Sequence, residues 1–304
     1  MKGRCNMRNR ILCALIAGSI GLTAGRVHAA LLYATSGNDI ARFDTGATGV
    51  VTSVPVTGLQ TGESLVGIDV RPANQVLYGV GSTGRLYTLN PLTGAASAVN
   101  PTPQATLNGT SFAVDFNPVA DRLRVISNTA QNLRLNPNDG SLAATDTAIT
   151  PAGVTITGAG YSNNAPGGGG TGVTTLYAID ATNGVLTTVG SVNGSPNSPN
   201  GGVVGPTVGS LGVGTGLDPR LGFDITGVNN GSAFASILTG GTDKLYSINL
   251  STGAATQIGT IGTGTTVYNG LTAATAVPEP ASLSFLTAAG IGLLARRRRT
   301  GMGS

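Results

Sequence analysis

Three aspartates, Asp69, Asp115 and Asp224, occupy equivalent places in similar apolar segments, and their type and spacing could support chemistry. Carboxylate oxygens are the ligands that hard cations prefer, and a metal held by carboxylates can assist hydrolysis. The alternative is that each aspartate caps its own strand-to-turn junction or hydrogen-bonds the neighbouring repeat unit, a blade of the fold. The residues leave both interpretations open. We favour the structural role, and therefore assign no catalytic residue. The three aspartates are kept as candidate ligands.

The other common catalytic side chains are concentrated at the N-terminus. Cys5, Cys13 and His28 are all the cysteines and the one histidine of the chain. If residues 1–29 are removed, the remaining chain has no thiol nucleophile, disulfide or imidazole. Their loss excludes Ser-His-Asp and Cys-His catalysis and ordinary zinc sites. The scarcity of His, Lys and Glu also argues against general acid–base catalysis.

Residues 1–29 have the three parts of a secretory signal peptide. These are a basic start, the apolar run Ile11–Leu22 and the small-residue site Val27-His28-Ala29. The apolar run is shorter than the roughly 20 residues that a membrane-spanning helix needs. We therefore predict export through the secretion translocon and cleavage by signal peptidase between Ala29 and Ala30.

The basic net charge of +4 comes from the two ends of the chain. Residues 30–277 carry eight basic side chains against twelve acidic ones, a balance of −4. A nucleic-acid partner requires a basic patch on the folded domain. The acidic balance of the body therefore argues against nucleic-acid binding.

A repeat of 46 residues organises the body, since Asp69 and Asp115 lie 46 residues apart and so do Asn90 and Asn136. Short strands with glycine turns at a period in the forties are typical of β-propeller blades. The pattern predicts an all-β fold, a single propeller of five four-stranded blades. The first unit lacks an innermost strand, and residues 270–273 supply one. We therefore expect N- and C-terminal strands to pair and close the ring.

The innermost strands, once aligned, place five residues at one level: Asp69, Asp115, Ser162, Asp224 and Thr272. In the fourth unit this alignment puts the innermost strand at Tyr161-Ser162-Asn163. Innermost strands line the central channel of a propeller. We therefore expect the three carboxylates to face a common axis.

Three arginines of the third unit, Arg122, Arg124 and Arg134, form a second candidate site. Their guanidinium groups could bind the carboxylates of an acidic glycan in a bidentate manner. The alternative is that they are solvated or pair with Asp121 and Asp139. We favour the alternative.

Four segments of the body carry a family resemblance: Gly67–Asp69, Phe112–Pro118, Asn132–Asn136 and Leu245–Asn249. On these segments the chain resembles a secreted bacterial β-propeller-like family that is described only as a domain of unknown function. The resemblance extends over residues 31–275. It implies a fold and brings no established activity.

The C-terminus has three parts in order: Pro278, Glu279 and Pro280, then the apolar stretch Ala281–Ala295, then Arg296, Arg297, Arg298 and Arg299. This order closely resembles the PEP-CTERM sorting signal. The resemblance implies a Gram-negative envelope protein that an exosortase-type enzyme cuts and sends to the surface or the exopolysaccharide matrix. The apolar stretch is a marginal membrane span whose arginines would stay on the cytoplasmic side. We therefore expect transient membrane contact through a C-terminal helix.

The sequence thus predicts a signal peptide (1–29), a propeller body (30–276), a sorting signal (277–299) and a short tail (300–304). We expect a non-catalytic protein of the cell surface or matrix, a scaffold that binds extracellular polysaccharide or protein. The alternative is a cation-dependent hydrolase or lactonase that uses the channel carboxylates. No cofactor is assigned, and Ca²⁺ is the cation that these oxygen ligands would suit.

Overall fold

The computed structural model describes residues 30–229 and 231–274. Twenty strands form five antiparallel sheets of four strands each. The innermost strand of each sheet contacts the innermost strands of the two neighbouring sheets, and these contacts close into a ring. The protein is therefore a five-bladed β-propeller, and the predicted fold class is confirmed.

The blades are numbered in chain order. Blade 1 contains β1 (Leu31–Thr35), β2 (Asp39–Asp44), β3 (Thr52–Pro55) and the closing strand β20 (Gly270–Ala273). Blade 2 contains β4 (Leu65–Val70), β5 (Leu77–Gly81), β6 (Leu86–Leu89) and β7 (Ala96–Ala98). Blade 3 contains β8 (Phe112–Asn117), β9 (Arg122–Ser127), β10 (Asn132–Leu135) and β11 (Leu142–Thr145). Blade 4 contains β12 (Ile156–Tyr161), β13 (Leu176–Asp180), β14 (Val185–Val189) and β15 (Gly209–Ser210). Blade 5 contains β16 (Gly222–Thr226), β17 (Ser232–Thr239), β18 (Thr242–Ile248) and β19 (Ala255–Thr260).

Helical structure in the described part of the chain is limited to short turns. They are Pro166–Gly169, Val192–Gly194 and Pro199–Gly201. Across residues 30–229 and 231–274, no helix has the length and apolar character to cross a membrane.

The strands are buried near the propeller axis and exposed at its rim. All residues of β5 are buried, whereas the outermost strand β11 has none. Side chains on both faces of an inner strand pack against neighbouring blades, so apolar residues occupy successive positions there. The outermost strands are rich in Thr, Ser and Ala because one edge and much of both faces meet water.

Strands from both ends of the described chain close the ring. β20 pairs antiparallel with β1, with Leu32 opposite Ala273 and Thr35 opposite Gly270. The sheet order of blade 1 is β20-β1-β2-β3, so the last strand takes the innermost place. The predicted closure by N- and C-terminal strands is therefore confirmed.

Blade 4 departs from the sequence prediction. Its innermost strand is β12, Ile156–Tyr161, whereas the alignment put that strand at 161–163. Ser162 and Asn163 instead begin the connection to β13, where the Ser162 carbonyl accepts a hydrogen bond from the Thr174 hydroxyl. The prediction was wrong because the spacing from blade 3 to blade 4 is 45 residues and not 46, and the equivalent residue in blade 4, Gly160, has no side chain that marks it.

In blades 2, 3 and 5 the connection between the third and fourth strands is a turn that begins with Asn and ends with Gly. Asn90 Oδ1 accepts the N–H groups of Leu92 and Thr93, and Gly94 follows with a φ of 74°. Asn249 makes equivalent bonds before Gly253, which has a φ of 78°. The side chain caps the start of the turn, and glycine supplies the left-handed residue that ends it.

The hydrophobic core is divided into five clusters, one between each pair of adjacent blades. Phe116, Leu123 and Leu133 of blade 3, for example, pack against Tyr78 and Val80 of blade 2. The rings of Tyr78 and Phe116 meet edge to face at a centroid distance of 5.3 Å. Each blade is therefore stabilised mainly by its two neighbours, and the ring must close to bury the faces of the first and last blades.

Candidate functional site

Small residues bring the innermost strands together around the axis. They are Gly67, Ala113, Gly158, Gly222 and Gly270, one from each blade. A Cβ on Gly67 would lie 2.9 Å from Val114 Cβ of the next blade, and a Cβ on Gly222 would lie 2.5 Å from Leu271 N. Larger side chains at this level would push the inner strands apart. The close approach that a five-membered ring needs therefore requires small residues here.

The candidate site lies at the level two residues further along each innermost strand. The residues are Asp69, Asp115, Gly160, Asp224 and Thr272. In blade 4 the position belongs to Gly160, and Ser162, which the alignment placed there, is two residues beyond it. The hydrogen bonds identify Gly160, because Asp115 bonds the N–H of Tyr161 in the way that Asp69 bonds the N–H of Phe116.

Each side chain at this level accepts a hydrogen bond from the next blade around the ring. Asp69 Oδ2 accepts from Phe116 N at 2.7 Å, and Asp115 Oδ1 accepts from Tyr161 N at 2.9 Å. Asp224 Oδ2 accepts from Ala273 N at 2.7 Å. Residues i and i+2 of a strand point the same way. The aspartates therefore face the same neighbouring blade as the small residues that precede them.

Thr272 continues the ring in blade 1. Its Oγ1 accepts from Val70 N at 3.2 Å and lies 2.7 Å from Asp69 Oδ1 and 3.3 Å from Asp224 Oδ2. The Thr272 hydroxyl can therefore donate to either carboxylate. Gly160 has no side chain that could accept a hydrogen bond from blade 5. Ile225 N of blade 5 donates instead to Oδ1 of the adjacent residue Asp224, at 2.6 Å. The ring of side-chain bonds is interrupted at blade 4.

The three predicted aspartates meet on the axis. One carboxylate oxygen from each of Asp69, Asp115 and Asp224 lies within 4.8 Å of the other two, and each residue is 1% exposed. We call these three residues the axial acid triad. They are contributed by blades 2, 3 and 5.

Burial raises the pKa of each carboxyl group in the axial acid triad. For Asp69 the Asp224 carboxylate adds to the effect of burial, and for Asp115 both other carboxylates do. The pKa of Asp224 is raised by burial, and the N–H groups of Ala273 and Ile225 oppose that rise. Three carboxylates this close cannot all be ionised without a compensating charge.

A narrow axial space adjoins the triad. Its lining includes the residues that immediately precede the three aspartates, Ile68, Val114 and Phe223, and its volume of about 10 Å³ suits one water molecule or one small ion. Two buried oxygens of this region have no hydrogen-bond partner in the described part of the chain: Asp115 Oδ2 and the hydroxyl of Thr157, which lines the space. The site can therefore compensate charge by taking up protons or a cation.

Arg124 and Arg134 of the candidate arginine site pair with Asp146, whereas the sequence suggested Asp121 and Asp139 as partners. Arg124 is 2% exposed, and its guanidinium bonds Tyr161 Oη at 2.7 Å and Asp146 Oδ2 at 3.0 Å. Arg134 binds both oxygens of Asp146 at 2.8 Å. Asp121 pairs instead with Arg71. These guanidinium groups join neighbouring blades and loops, and Arg124 is not open to a glycan.

A buried acid outside the triad was missed in the sequence. Asp243, in β18, is 1% exposed, and burial raises its pKa to about 7. Its Oδ2 accepts from Tyr268 N at 2.8 Å. The sequence Thr242-Asp243-Lys244 is polar and would ordinarily mark a solvated strand end. Its burial arises because the segment leading to β20 folds over it.

All but one of the residues predicted for processing lie outside the described part of the chain. They are the cleavage site Ala29 with Ala30 following it, the motif Pro278-Glu279-Pro280 and the cluster Arg296–Arg299. Of these, Ala30 alone is described, and its N–H donates to Thr45 Oγ1 at 2.9 Å. The predicted C-terminal membrane helix also lies outside the described residues.

The fold and the end of the sequence together define the class: an exported Gram-negative envelope protein with a five-bladed propeller body. Residues 276–299 match the PEP-CTERM protein-sorting motif, which implies exosortase processing. Residues 39–271 match the family described as a domain of unknown function, DUF4394. The chain belongs to that family. A comparison with curated proteins finds no match.

The solved structures that match the chain are distant in sequence. A structural genomics protein of unknown function from Bacteroides thetaiotaomicron is 14% identical with a TM-score of 0.46, over 81% of this chain and 66% of that one. U3-55K is 13% identical with a TM-score of 0.40, over 64% of this chain and 51% of that one. PorZ, a surface component of the type-IX secretion system of Porphyromonas gingivalis, is 13% identical with a TM-score of 0.38, over 74% of this chain and 27% of that one. The chain thus spans two thirds or less of these proteins.

Proposed function

We propose that the chain is a non-catalytic binding module that acts at the cell surface or in the exopolysaccharide matrix. The observation that carries this proposal is the position of the axial acid triad. Its carboxylates are buried between blades and accept backbone N–H groups from the next blade. A hydrolase or lactonase needs its acid and base within reach of a substrate. Burial on the axis therefore favours a binding module over the catalytic alternative.

The distribution of aromatic side chains favours a protein partner over a polysaccharide. Tyr and Phe rings in sugar-binding sites offer exposed apolar faces to the C–H groups of the sugar. Among the described residues, six of the seven tyrosines and all phenylalanines are buried, and Tyr33 is half-buried. Their recurrence in the strands thus reflects blade packing.

Three exposed valines mark the surface that we assign to the partner. Val119, Val173 and Val228 are 38–40% exposed and come from the β8–β9, β12–β13 and β16–β17 connections. We call them the valine face. The β12–β13 connection joins the other two, since Gly167 N donates to Pro118 O at 2.9 Å and Asn164 N to Gly227 O at 2.6 Å.

The chain leaves the propeller on the same side as the valine face. β20 runs in the same direction as the other innermost strands, because Asp224 bonds Ala273 N as Asp69 bonds Phe116 N. Ala274 and Leu31 lie side by side at that end, joined by a 2.9 Å hydrogen bond. Pro278 is four positions beyond Ala274, a reach of about 14 Å at most. While the sorting segment is in contact with the membrane, the valine face would lie near the membrane. Removal of the segment would make that face accessible to a partner.

Processing is tested by mass spectrometry of the protein released from its own cells. The released chain is expected to begin at Ala30 and to lack the sequence beyond Pro278-Glu279-Pro280. Surface-exposed mature protein that still contains Arg296–Arg299 would contradict the processing scheme.

Binding is tested by the retention of the processed protein on isolated extracellular matrix. Changing Val119, Val173 and Val228 together to Ser should abolish retention while the melting temperature stays close to that of the wild type. Val50→Ser is the matched control, because Val50 is 72% exposed in the turn between β2 and β3. Protease treatment of the matrix should remove the partner, and periodate oxidation of glycans should not. Equal retention of the triple variant and the wild type would contradict this assignment of the binding face.

A further inference from the structure

In the part of the chain that the structure describes, no cationic side chain forms an ion pair with the axial acid triad. The ion pairs formed within residues 30–229 and 231–274 join five arginines to Asp121, Glu63, Asp146 and Asp218, and none includes a triad residue. Three carboxylates on the propeller axis therefore lack a protein counter-charge. Removal of such groups from water without a partner charge is strongly unfavourable.

The hydrogen bonds around two of the carboxylates suit the ionised form. Asp69 accepts the N–H groups of Val70 and Phe116 at 2.8 and 2.7 Å, and Asp224 accepts those of Ile225 and Ala273 at 2.6 and 2.7 Å. Carboxylates that accept two or three N–H groups are stabilised as anions. Donors thus surround Asp69 and Asp224 on both of their oxygens.

Asp115 is arranged differently. Its Oδ1 accepts Tyr161 N, while Oδ2 is buried and receives no hydrogen bond in the described part of the chain. The hydroxyl of Thr157, on the wall of the adjoining axial space, is also buried and unpartnered there. A buried oxygen without a partner requires an explanation, and one explanation is a ligand that the oxygen contacts. The unpartnered Asp115 Oδ2 is a second indication, beside the charge, that a ligand belongs at the triad.

We propose that the axial acid triad binds one calcium-class cation on the propeller axis, with Asp69, Asp115 and Asp224 each supplying at least one oxygen. Calcium binds oxygens at about 2.3–2.6 Å, so two of its ligands are separated by at most about 5.2 Å. The triad oxygens lie within 4.8 Å of one another and meet this limit. Magnesium binds at about 2.0–2.1 Å and retains several waters, so three buried carboxylates suit it less well than calcium.

The cation would connect blade 5 to blades 2 and 3, from which it is separated by blades 1 and 4. Its ligands come from blades 2, 3 and 5, and Thr272 of blade 1 lies against two of them. Blade 4 offers Gly160 at the same level and supplies no side chain. The ion would therefore stabilise the closed ring, a role that is independent of the partner assigned to the valine face.

The first test is the metal content of the exported protein, purified in buffers free of chelator and measured by mass spectrometry of the elements. We expect one calcium per chain. After unfolding and refolding with EGTA, added CaCl₂ should raise the melting temperature by roughly 5–10 °C at a concentration 100-fold above the dissociation constant. MgCl₂ at the same concentration should raise it much less.

Asp115→Asn removes one charge of the triad and keeps the size of the side chain. We expect this variant to bind calcium at least tenfold more weakly. Asp243→Asn is the matched control, since Asp243 is also buried with one bonded and one unpartnered oxygen but lies outside the triad. This control should keep the calcium content and calcium response of the wild type.

A wild-type protein without calcium, whose melting temperature responds to neither CaCl₂ nor EGTA, would overturn the proposal in favour of protons shared among the three carboxyl groups. A melting temperature raised by Asp115→Asn without any calcium effect would overturn it in the same way. The wild-type measurements decide the question even if Asp115→Asn does not fold. They are also independent of retention on the matrix, so the binding proposal and the cation proposal can fail separately.

Discussion

Asp243 holds the segment that carries the chain from blade 5 to the closing strand β20. Its N–H donates to Gly264 O at 3.0 Å, its carbonyl accepts from Ile261 N at 3.2 Å, and its carboxylate accepts from Tyr268 N at 2.8 Å. The other carboxylate oxygen is buried without a partner in the described part of the chain. Burial raises the pKa of Asp243 to about 7, and the N–H of Tyr268 opposes the rise. We therefore predict that the stability of ring closure depends on the protonation of Asp243.

The sign and size of the effect follow from the pKa values of the folded and unfolded chain. The ordinary pKa of an aspartate is 3.8. The stability that protonated Asp243 contributes is therefore fully present below pH 3.8 and is lost as the pH rises to about 7. A difference of about 3 pKa units corresponds to about 4 kcal/mol in the free energy of unfolding. For a domain of this size, the melting temperature would change by roughly 8–16 °C.

The assay is the melting temperature of wild type and Asp243→Asn between about pH 4 and pH 8. The amide stays neutral, so the variant should lose this pH dependence. Its melting temperature, relative to the wild type, should rise with pH and level off above about pH 7. Asp139→Asn is the control, because the pKa of this exposed aspartate is lowered by hydrogen bonds from Ser141 and does not enter the same range. Parallel pH profiles for wild type and Asp243→Asn would refute the reasoning.

Two further predictions concern the closure of the ring and the small residues at its axis. A chain that ends at Asn269 lacks β20, the innermost strand of blade 1. It should melt at a much lower temperature than a chain that ends at Pro278. Equal melting temperatures would contradict the importance of this closure. Gly222→Ala should lower the free energy of unfolding by about 1–3 kcal/mol, because the new Cβ would lie 2.5 Å from Leu271 N. Gly49→Ala, with nothing within 4 Å of the new Cβ, is the control and should change it by less than about 0.5 kcal/mol. If denaturant unfolding gives the two variants equal stability, the close approach of inner strands does not limit the ring.

The local sequence determined the class of fold and most of the strands. The 46-residue period predicted five four-stranded blades, and the structure has five sheets of four strands each. Short-range features carry this information: a 46-residue period, alternating buried positions, and turns that start with Asn and end with Gly. The missing inner strand of the first unit also made the closure by residues 270–273 predictable. These features depend on neighbours along the chain, and a sequence displays them directly.

The contacts across blades were decided by the tertiary structure. The distance from Asp115 to Gly160 is 45 residues and not 46, and Gly160 has no side chain that marks its level, so the alignment chose Ser162. The pattern Gly158-Ala159-Gly160, with a small residue two places earlier as in Gly67-Ile68-Asp69, was the available signal. The pairing of Arg124 with Asp146 offered no such signal, because Asp146 lies in a connection whose path the sequence does not show. The physical reason is that burial and charge at the axis depend on how five separate blades approach one another. Spacing along one chain fixes the order of the blades, but not which side-chain atoms meet between them.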